Sequence, residues 1–163
     1  MTEQDANQKA LAEAIRFEVD GRAFFLQAAE KAKNYFAKVI FQTIAQEELK
    51  HIERVKKIHD RTASKGRDTS PSSFSEKGTL QNIFQQAKEQ MDRTMTVSAD
   101  EMEAVRLAIQ LEIKGQEFYG RLAAESTGEA ERAFFQELAQ EESVHFSVLR
   151  DMEQTLMKGT SFG

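Results

Sequence analysis

The sequence predicts an all-α protein, a four-helix bundle of two helical hairpins joined by a long crossover that contains a short extra helix. Three observations predict this fold. Apolar residues recur at helical spacing along both halves of the chain, a pattern of Glu and His residues occurs twice at one fixed offset, and about 36 residues separate the two halves. With 163 residues, 40% of them hydrophobic and one of them proline, the chain suits a single helical domain spanning residues 1–163.

The first hairpin is predicted over residues 5–60. Its first helix runs from about Asp5 to Ala32, and Asn34 is a plausible N-cap for a second helix that reaches Ile58. The turn is expected near Lys33. The apolar positions that support these helices are Leu11, Ala14, Ile15, Phe25, Ala28, Phe41, Ile44, Ile52 and Val55.

The crossover is predicted over residues 61–97. The segment from Arg61 to Thr79 is rich in Ser, Thr and Gly and contains the single proline, Pro71, which indicates an irregular connection. A helix of about three turns is expected to follow, because an apolar stripe appears at helical spacing. We expect the stripe to pack in the core, although it could instead bind a partner. Its residues are Leu80, Ile83, Phe84, Ala87, Met91 and Met95.

The second hairpin is predicted over residues 98–157. Ser98 and Glu101 have the spacing of a capping box, which predicts the start of the third long helix. The turn is expected at Ser126-Thr127-Gly128. A connection as long as the crossover would carry the chain from one end of the bundle to the other, as in ferritin-like folds.

A pattern of metal-ligand residues is repeated in the two hairpins. Each copy has a Glu followed 30 residues later by Glu-x-x-His, and the second copy lies 94 residues after the first. The candidate ligands are Glu18, Glu48 and His51 in the first half and Glu112, Glu142 and His145 in the second. Four carboxylates and two imidazoles, presented at mid-height by four helices, are typical of a dinuclear metal site.

Each candidate ligand falls on the apolar face of its helix. Glu18, for example, lies one turn after Ala14 and Ile15. Buried carboxylates without partners are costly, whereas two divalent cations would neutralise four of them. Mixed carboxylate and imidazole ligands favour iron, with manganese and zinc as alternatives. The competing interpretation is two chance Glu-x-x-His matches on solvated helices.

The composition limits the other functions of the chain. It has no cysteine, so these residues contain no disulfide and no cysteine-ligated iron. The net charge of −5 without a basic stripe argues against nucleic acid as a partner. No apolar run is long enough to span a membrane and the polar start is no secretory signal, so we expect a cytoplasmic protein.

The chain resembles the ferritin-like domain of rubrerythrins, in the di-iron carboxylate superfamily, over residues 5–157. The resemblance rests on Glu18, Glu48-x-x-His51, Glu112 and Glu142-x-x-His145. It implies that Glu48 and Glu142 bridge the metals, with Glu18 and His51 as terminal ligands of one metal and Glu112 and His145 of the other. It also implies a homodimer. The family has an extra glutamate one turn after the ligand of the third long helix, where this chain has Gly115.

The resemblance also implies an oxidoreductase. Rubrerythrins reduce hydrogen peroxide with electrons from a rubredoxin-type centre, which here would have to be a separate protein. The first functional hypothesis is therefore a di-iron protein that reduces peroxide or oxygen. The main alternative is a ferritin-like iron oxidation, storage or delivery protein without a catalytic cycle. An oxygenase acting on an organic substrate is the third.

Several residues near the ligands have two interpretations each. Tyr119 could relay an electron, hold a hydrogen bond near the metals or be an ordinary buried tyrosine. Gly21 and Gly115 either leave space beside the metals or allow close helix packing. Glu47 and Glu141 are expected to face solvent. The remaining histidine, His59, is expected at the surface.

Overall fold

The computed structural model of the chain describes residues 3–63, 79–89 and 97–160. These residues form five α-helices: α1 Glu3–Lys31, α2 Tyr35–Ala63, α3 Thr79–Glu89, α4 Ala99–Glu125 and α5 Glu129–Thr160. The described residues contain no strand, so the predicted all-α class is confirmed. Among the described helices, none has the length and apolar character needed to cross a membrane.

The helix ends lie where local chemistry predicts them. The Asn34 side chain accepts a hydrogen bond of 3.1 Å from the backbone N–H of Ala37, so Asn34 caps α2 as predicted. The Ser98 capping box is also present, with Glu101 as its partner. Since the segment from Arg61 to Ala63 contains no helix breaker, α2 continues three residues past residue 60, where the first hairpin was predicted to end.

Glu101 connects the starts of two helices. One of its carboxylate oxygens accepts hydrogen bonds from the backbone and hydroxyl of Ser98, at the start of α4. The other accepts a 2.8 Å hydrogen bond from the backbone N–H of Asn34, at the start of α2. Glu101 is only 6% exposed, so this carboxylate satisfies backbone donors that would otherwise be buried without partners. The contact ties the second hairpin to the turn of the first.

In the first hairpin α1 packs on α2, and in the second α4 packs on α5. The two hairpins contact each other through α1 with α4 and through α2 with α5. The short helix α3 packs against α2 and α5. Its Leu80, Phe84 and Ala87 are buried, and the ring of Phe84 lies 5.5 Å from that of Phe36. The core-packing interpretation of the stripe is confirmed for these three residues. Met91, Met95 and Pro71 lie outside the described residues.

The described residues form two apolar clusters, one toward each end of the bundle. The first includes Phe25, Phe41 and Leu149, and the second includes Leu11, Phe135 and Leu138. Complete burial of each such side chain contributes about 1.5–3 kcal/mol, so these clusters supply most of the driving force for packing. Along every long helix the candidate ligands fall between the two clusters. The fold therefore places a polar layer at the middle of an otherwise apolar interior.

Candidate metal centre

The structure brings together all six residues that the repeat identified. One residue comes from α1, two from α2, one from α4 and two from α5. Each is at most 2% exposed: Glu18, Glu48, His51, Glu112, Glu142 and His145. The alternative of chance matches on solvated helices is therefore wrong, because none of these side chains faces solvent.

The six side chains form two overlapping groups of four. Glu18, Glu48, His51 and Glu142 form the first group, and Glu48, Glu112, Glu142 and His145 form the second. Within each group one ligand atom per residue lies within 4.8 Å of the others, so each group could hold a metal ion. Glu48 and Glu142 belong to both groups. A pair of carboxylates common to both groups is the arrangement expected where two metals are bridged.

Both histidines direct Nδ1 toward the carboxylates. Nδ1 of His51 lies 3.4 Å from an oxygen of Glu18 and 3.3 Å from one of Glu142. Nδ1 of His145 lies 3.3 Å from Glu48 and 3.4 Å from Glu112. The two imidazole rings are stacked, with centroids 5.7 Å apart and planes 10° apart. Nδ1 is therefore the nitrogen available to a metal on both sides.

The other nitrogen of each histidine contacts a carboxylate from the opposite hairpin. Nε2 of His145 lies 2.8 Å from Glu47, and Nε2 of His51 lies 3.4 Å from Glu141. The expectation that these two glutamates face solvent is wrong in part, because their side chains are only 20% and 29% exposed and contact the histidines. A residue one step before a ligand is rotated toward the neighbouring helix, here α5 for Glu47 and α2 for Glu141. A carboxylate in this position fixes the tautomer of a metal-binding histidine.

Arg54 is a further charged residue at the site that the sequence analysis missed. It is 6% exposed and places its guanidinium 2.8 Å from Glu141 and 3.0 Å from Glu137. The guanidinium also lies over the ring of Phe134. Burial alone would raise the pKa of Glu141, but His51 and Arg54 lower it to about 2. The sequence feature that could have indicated this contact is an arginine one turn after His51, at a position where the second hairpin has Val148.

Tyr119 donates a hydrogen bond of 2.5 Å to Glu18, from α4 across to α1. Its side chain is fully buried, between Phe118 and Phe135. Burial and the charge of Glu18 raise the pKa of the phenol well above 10, so it keeps its proton. Of the interpretations considered for Tyr119, the structure supports the hydrogen bond beside the candidate ligands.

The two carboxylates that belong to both groups resist ionisation. Burial raises the pKa of Glu48 and Glu142 well above 4.5, and nearby carboxylates raise it further. Among the neighbouring carboxylates, the largest effect on the pKa comes from Glu18 for Glu48 and from Glu112 for Glu142. In the metal-free protein a proton therefore reduces the repulsion at the centre of the site.

Each histidine lies 3.4 Å from a glutamate that belongs to only one of the two groups, Glu18 for His51 and Glu112 for His145. Burial alone would lower the pKa of His51 and His145, but Glu18 and Glu112 raise the respective values well above 6.5. For Glu18, burial would raise the pKa, yet the charge of His51 and several hydrogen bonds lower it to about 2. The imidazoles are thus protonated at neutral pH. Metal ions would take over the charge that these protons supply.

The donor set fits two metal ions. Every one of the six residues has a buried side-chain atom that lacks a hydrogen bond of acceptable geometry within the described residues. These atoms are Glu18 Oε2, Glu48 Oε1, His51 Nδ1, Glu112 Oε2, Glu142 Oε1 and His145 Nδ1. Buried polar atoms without partners are rare and costly. Coordination by metal would satisfy all of them at once.

The two glycines of the repeat lie against ligand carboxylates. A Cβ on Gly115 would lie 3.0 Å from Glu142 Oε2 and 3.3 Å from the ring of Phe17. A Cβ on Gly21 would lie 3.6 Å from Glu48 Oε2. The space beside each glycine is therefore occupied by a ligand carboxylate, which favours close packing over an open space for an oxidant. His59, by contrast, is 30% exposed and contacts Asp60, as expected of a surface residue.

Comparison with known proteins agrees with this geometry. The family model described as Rubrerythrin matches residues 9–153 of the chain, which include all six candidate ligands. The match confirms the ferritin-like form of the all-α fold. No curated protein matches the chain significantly.

Proposed function

The chain belongs to the rubrerythrin family, and we propose that it is a di-iron oxidoreductase that reduces hydrogen peroxide or oxygen. The observation that carries this proposal is the pair of overlapping four-residue groups at the buried centre of the bundle. A carboxylate-rich centre with only two imidazoles suits iron, with manganese and zinc as the other candidates. The buried location supports redox chemistry, because it separates the centre from bulk water.

Each residue of the centre has a proposed role. Glu48 and Glu142 would bridge the metals, which their membership of both groups supports. Glu18 with His51 and Glu112 with His145 would be the terminal ligands. Glu141 and Glu47 would orient the imidazoles through Nε2. Two ferrous ions bound there would supply one electron each to an oxidant.

The protein residues position the ligands and keep water away from the centre. Tyr119 keeps its proton and donates a hydrogen bond to Glu18, and the surrounding phenylalanines exclude solvent. Reduction of one peroxide molecule to two water molecules takes up two electrons and two protons. The electrons must be replaced afterwards. No cysteine occurs in the 163 residues, so a rubredoxin-type donor would be a separate protein or lie outside them.

Gly115 gives the proposed centre a fixed set of ligands. Related rubrerythrins carry a glutamate at this position, and one metal exchanges ligands there as its oxidation state changes. Here the space is taken by Glu142 and Phe17. We therefore expect His51 to stay bound to its metal in both oxidation states. Crystals of the oxidised and reduced protein test this, and movement of the metal away from His51 on oxidation would contradict it.

The oxygenase alternative requires a pocket beside the metals for an organic substrate. A surface groove of about 470 Å³ lies between α4 and α5 and is lined by residues such as Gln116, Gly120 and Ser143. None of its lining residues is a candidate ligand. This groove therefore gives no support to an oxygenase.

The test compares two oxidants after anaerobic loading. Metal-free protein is loaded with ferrous iron and mixed rapidly with peroxide or with oxygen, while the absorbance of ferric iron is followed. We expect two iron ions per chain and a much faster reaction with peroxide. Uptake of many iron ions per chain would instead support the storage alternative, and a chain that binds no iron would overturn the proposal.

A matched pair of variants shows whether the reaction belongs to this centre. Glu142→Gln removes a proposed bridging charge while keeping the size of the side chain. Glu117→Gln makes the same change on the exposed face of α4. We expect the first variant to lose iron and the fast reaction and the second to keep both.

A further inference from the structure

The two halves of the proposed centre are related by the sequence repeat, yet their surroundings differ. Two of the differences place an additional polar group beside the Glu18–His51 half: Tyr119 contacts the candidate ligand Glu18, and Arg54 contacts Glu141, the carboxylate behind His51. In the other half the matching positions hold apolar residues. The repeat therefore predicts two equivalent metal positions, whereas the contacts of the ligands make them different.

The first difference is a hydroxyl group. Tyr119 donates a 2.5 Å hydrogen bond to Glu18. The matching residue, 94 positions earlier, is Phe25, which is fully buried and has no hydroxyl to donate. Glu112 therefore lacks the phenolic hydrogen bond that Glu18 receives. A hydrogen bond to a carboxylate draws electron density from it, so Glu18 is the weaker electron donor of the two.

The second difference concerns the carboxylates behind the histidines. Glu47 lies 2.8 Å from Nε2 of His145, whereas Glu141 lies 3.4 Å from Nε2 of His51. Glu141 is at the same time held by Arg54 at 2.8 Å, and the position that matches Arg54 is Val148. A carboxylate bound to an imidazole N–H makes the ring a stronger donor to a metal.

Both differences act in the same direction on the proposed metals. Weaker donation by Glu18 and His51 favours the lower charge of ferrous iron at their position. Stronger donation by Glu112 and His145 favours the higher charge of ferric iron at theirs. Arg54 also contacts Glu137, whose counterpart in the other half is Thr43. The positive charge of Arg54 is therefore accompanied by an additional negative charge. For this reason the direct contacts of the candidate ligands, rather than the net charge nearby, decide which metal position has the lower potential.

We propose that the two metal positions differ in reduction potential, with the Glu112–His145 position the lower and therefore the first to be oxidised. The inference rests on the proposed di-iron centre, but not on which oxidant it reduces. Each step removes one electron from one ferrous ion. Tyr119 and Arg54 are positioning residues in this proposal, because they act on the metals through Glu18 and Glu141.

The test is a redox titration of the iron-loaded protein at an electrode. The EPR signal of the half-oxidised form monitors its progress. We expect two one-electron steps. Tyr119→Phe should lower only the higher of the two potentials, which belongs to the Glu18–His51 position. Phe25→Tyr should raise only the lower potential, which belongs to the Glu112–His145 position. A tenfold change in the preference for ferric over ferrous iron corresponds to about 59 mV. We expect shifts of about this size.

The controls use the same chemical changes elsewhere in the chain. Tyr35→Phe removes the hydroxyl of the other tyrosine, which is 56% exposed. Arg54→Met should lower the higher step, and its control Arg121→Met removes an exposed arginine that lies 3.8 Å from Glu13. Both controls should leave the two potentials unchanged.

The outcomes separate this inference from a structural role and from the proposed function. A tyrosine that only held Glu18 in place would affect both oxidation states alike and leave the potentials unchanged. Unchanged potentials, equal shifts of both steps or loss of iron in Tyr119→Phe would each overturn the inference. Peroxide turnover is not measured, so such a result leaves the proposed reaction standing. A wild-type chain that binds no iron overturns the proposed function, and this inference with it.

Discussion

Nε2 of His145 on α5 lies 2.8 Å from Oε2 of Glu47 on α2. The reciprocal contact joins His51 on α2 to Glu141 on α5. Each hairpin thus supplies the carboxylate that orients the histidine of the other. The correct orientation of both imidazoles depends on the association of the two hairpins, so metal affinity reports on the whole bundle.

Replacement of Glu47 tests this orientation. We expect Glu47→Gln to weaken metal binding by about 10–100-fold, because His145 loses the charged partner of its Nε2–H. The metal-free fold should change little, since the amide oxygen of glutamine can still accept a hydrogen bond from Nε2–H of His145. Competition with a coloured chelator measures the affinity. Glu53→Gln, at an exposed position of the same helix, is the control and should bind metal normally.

Metal removal should make stability depend on pH in a defined direction. The pKa values of His51 and His145 are raised above 6.5, and those of Glu48 and Glu142 above 4.5. Groups with a raised pKa stabilise the folded state fully below their ordinary pKa, and this contribution is lost as the pH rises through the folded value. The stabilisation from Glu48 and Glu142 should therefore begin to fall above pH 4.5 and that from His51 and His145 above pH 6.5, so the metal-free protein loses stability most steeply above about pH 6.5.

The acid side of the profile has the opposite cause. Glu18 and Glu141 have pKa values lowered to about 2, so their contribution is present above 4.5 and is lost as the pH falls toward 2. Metal binding needs deprotonated ligands and stabilises the folded state more at higher pH. The difference in melting temperature between metal-bound and metal-free protein should widen between about pH 6 and pH 8.5. A constant difference across that range would contradict this account.

The clustering of the six candidate residues and the hairpin geometry could be predicted from sequence because they depend on short-range spacing. Glu-x-x-His places two side chains on one helix face, and the capping signals at Asn34 and Ser98 fix where the helices start. The contacts of Glu47, Glu141 and Arg54 could not be predicted in the same way. They depend on which neighbouring helix each face meets, and the rotation of α2 against α5 is not encoded in the spacing within either helix.

Gly115 and Gly21 offer a comparison within the repeat. Alanine in a helix is favoured over glycine by about 1 kcal/mol, so both Gly→Ala variants gain helix propensity. Only at Gly115 would the new Cβ come within 3.0 Å of a ligand oxygen, that of Glu142. We expect Gly115→Ala to weaken metal binding by about tenfold or more. Gly21→Ala should retain the wild-type affinity. Equal metal affinities in the two variants would show that the Cβ at position 115 does not displace Glu142.

Glu101 allows the fold to be tested apart from the metal centre. Glu101→Ala removes the side-chain half of the capping box of α4 and the hydrogen bond to the Asn34 backbone, which should lower the free energy of unfolding by about 1–2 kcal/mol. Metal stoichiometry should remain that of the wild type. Denaturant unfolding of the metal-free protein measures the effect. Asp100→Ala, at the exposed neighbouring position, should cost clearly less.

The equal division of the candidate ligands between the hairpins has a consequence for how such a centre can arise. Each hairpin contributes two glutamates and one histidine. A half-length chain that paired with a copy of itself by two-fold symmetry would present the same six side chains. Joining the halves removes the dependence of assembly on protein concentration. It also frees each half to diverge, as the single hydroxyl that distinguishes Tyr119 from Phe25 shows.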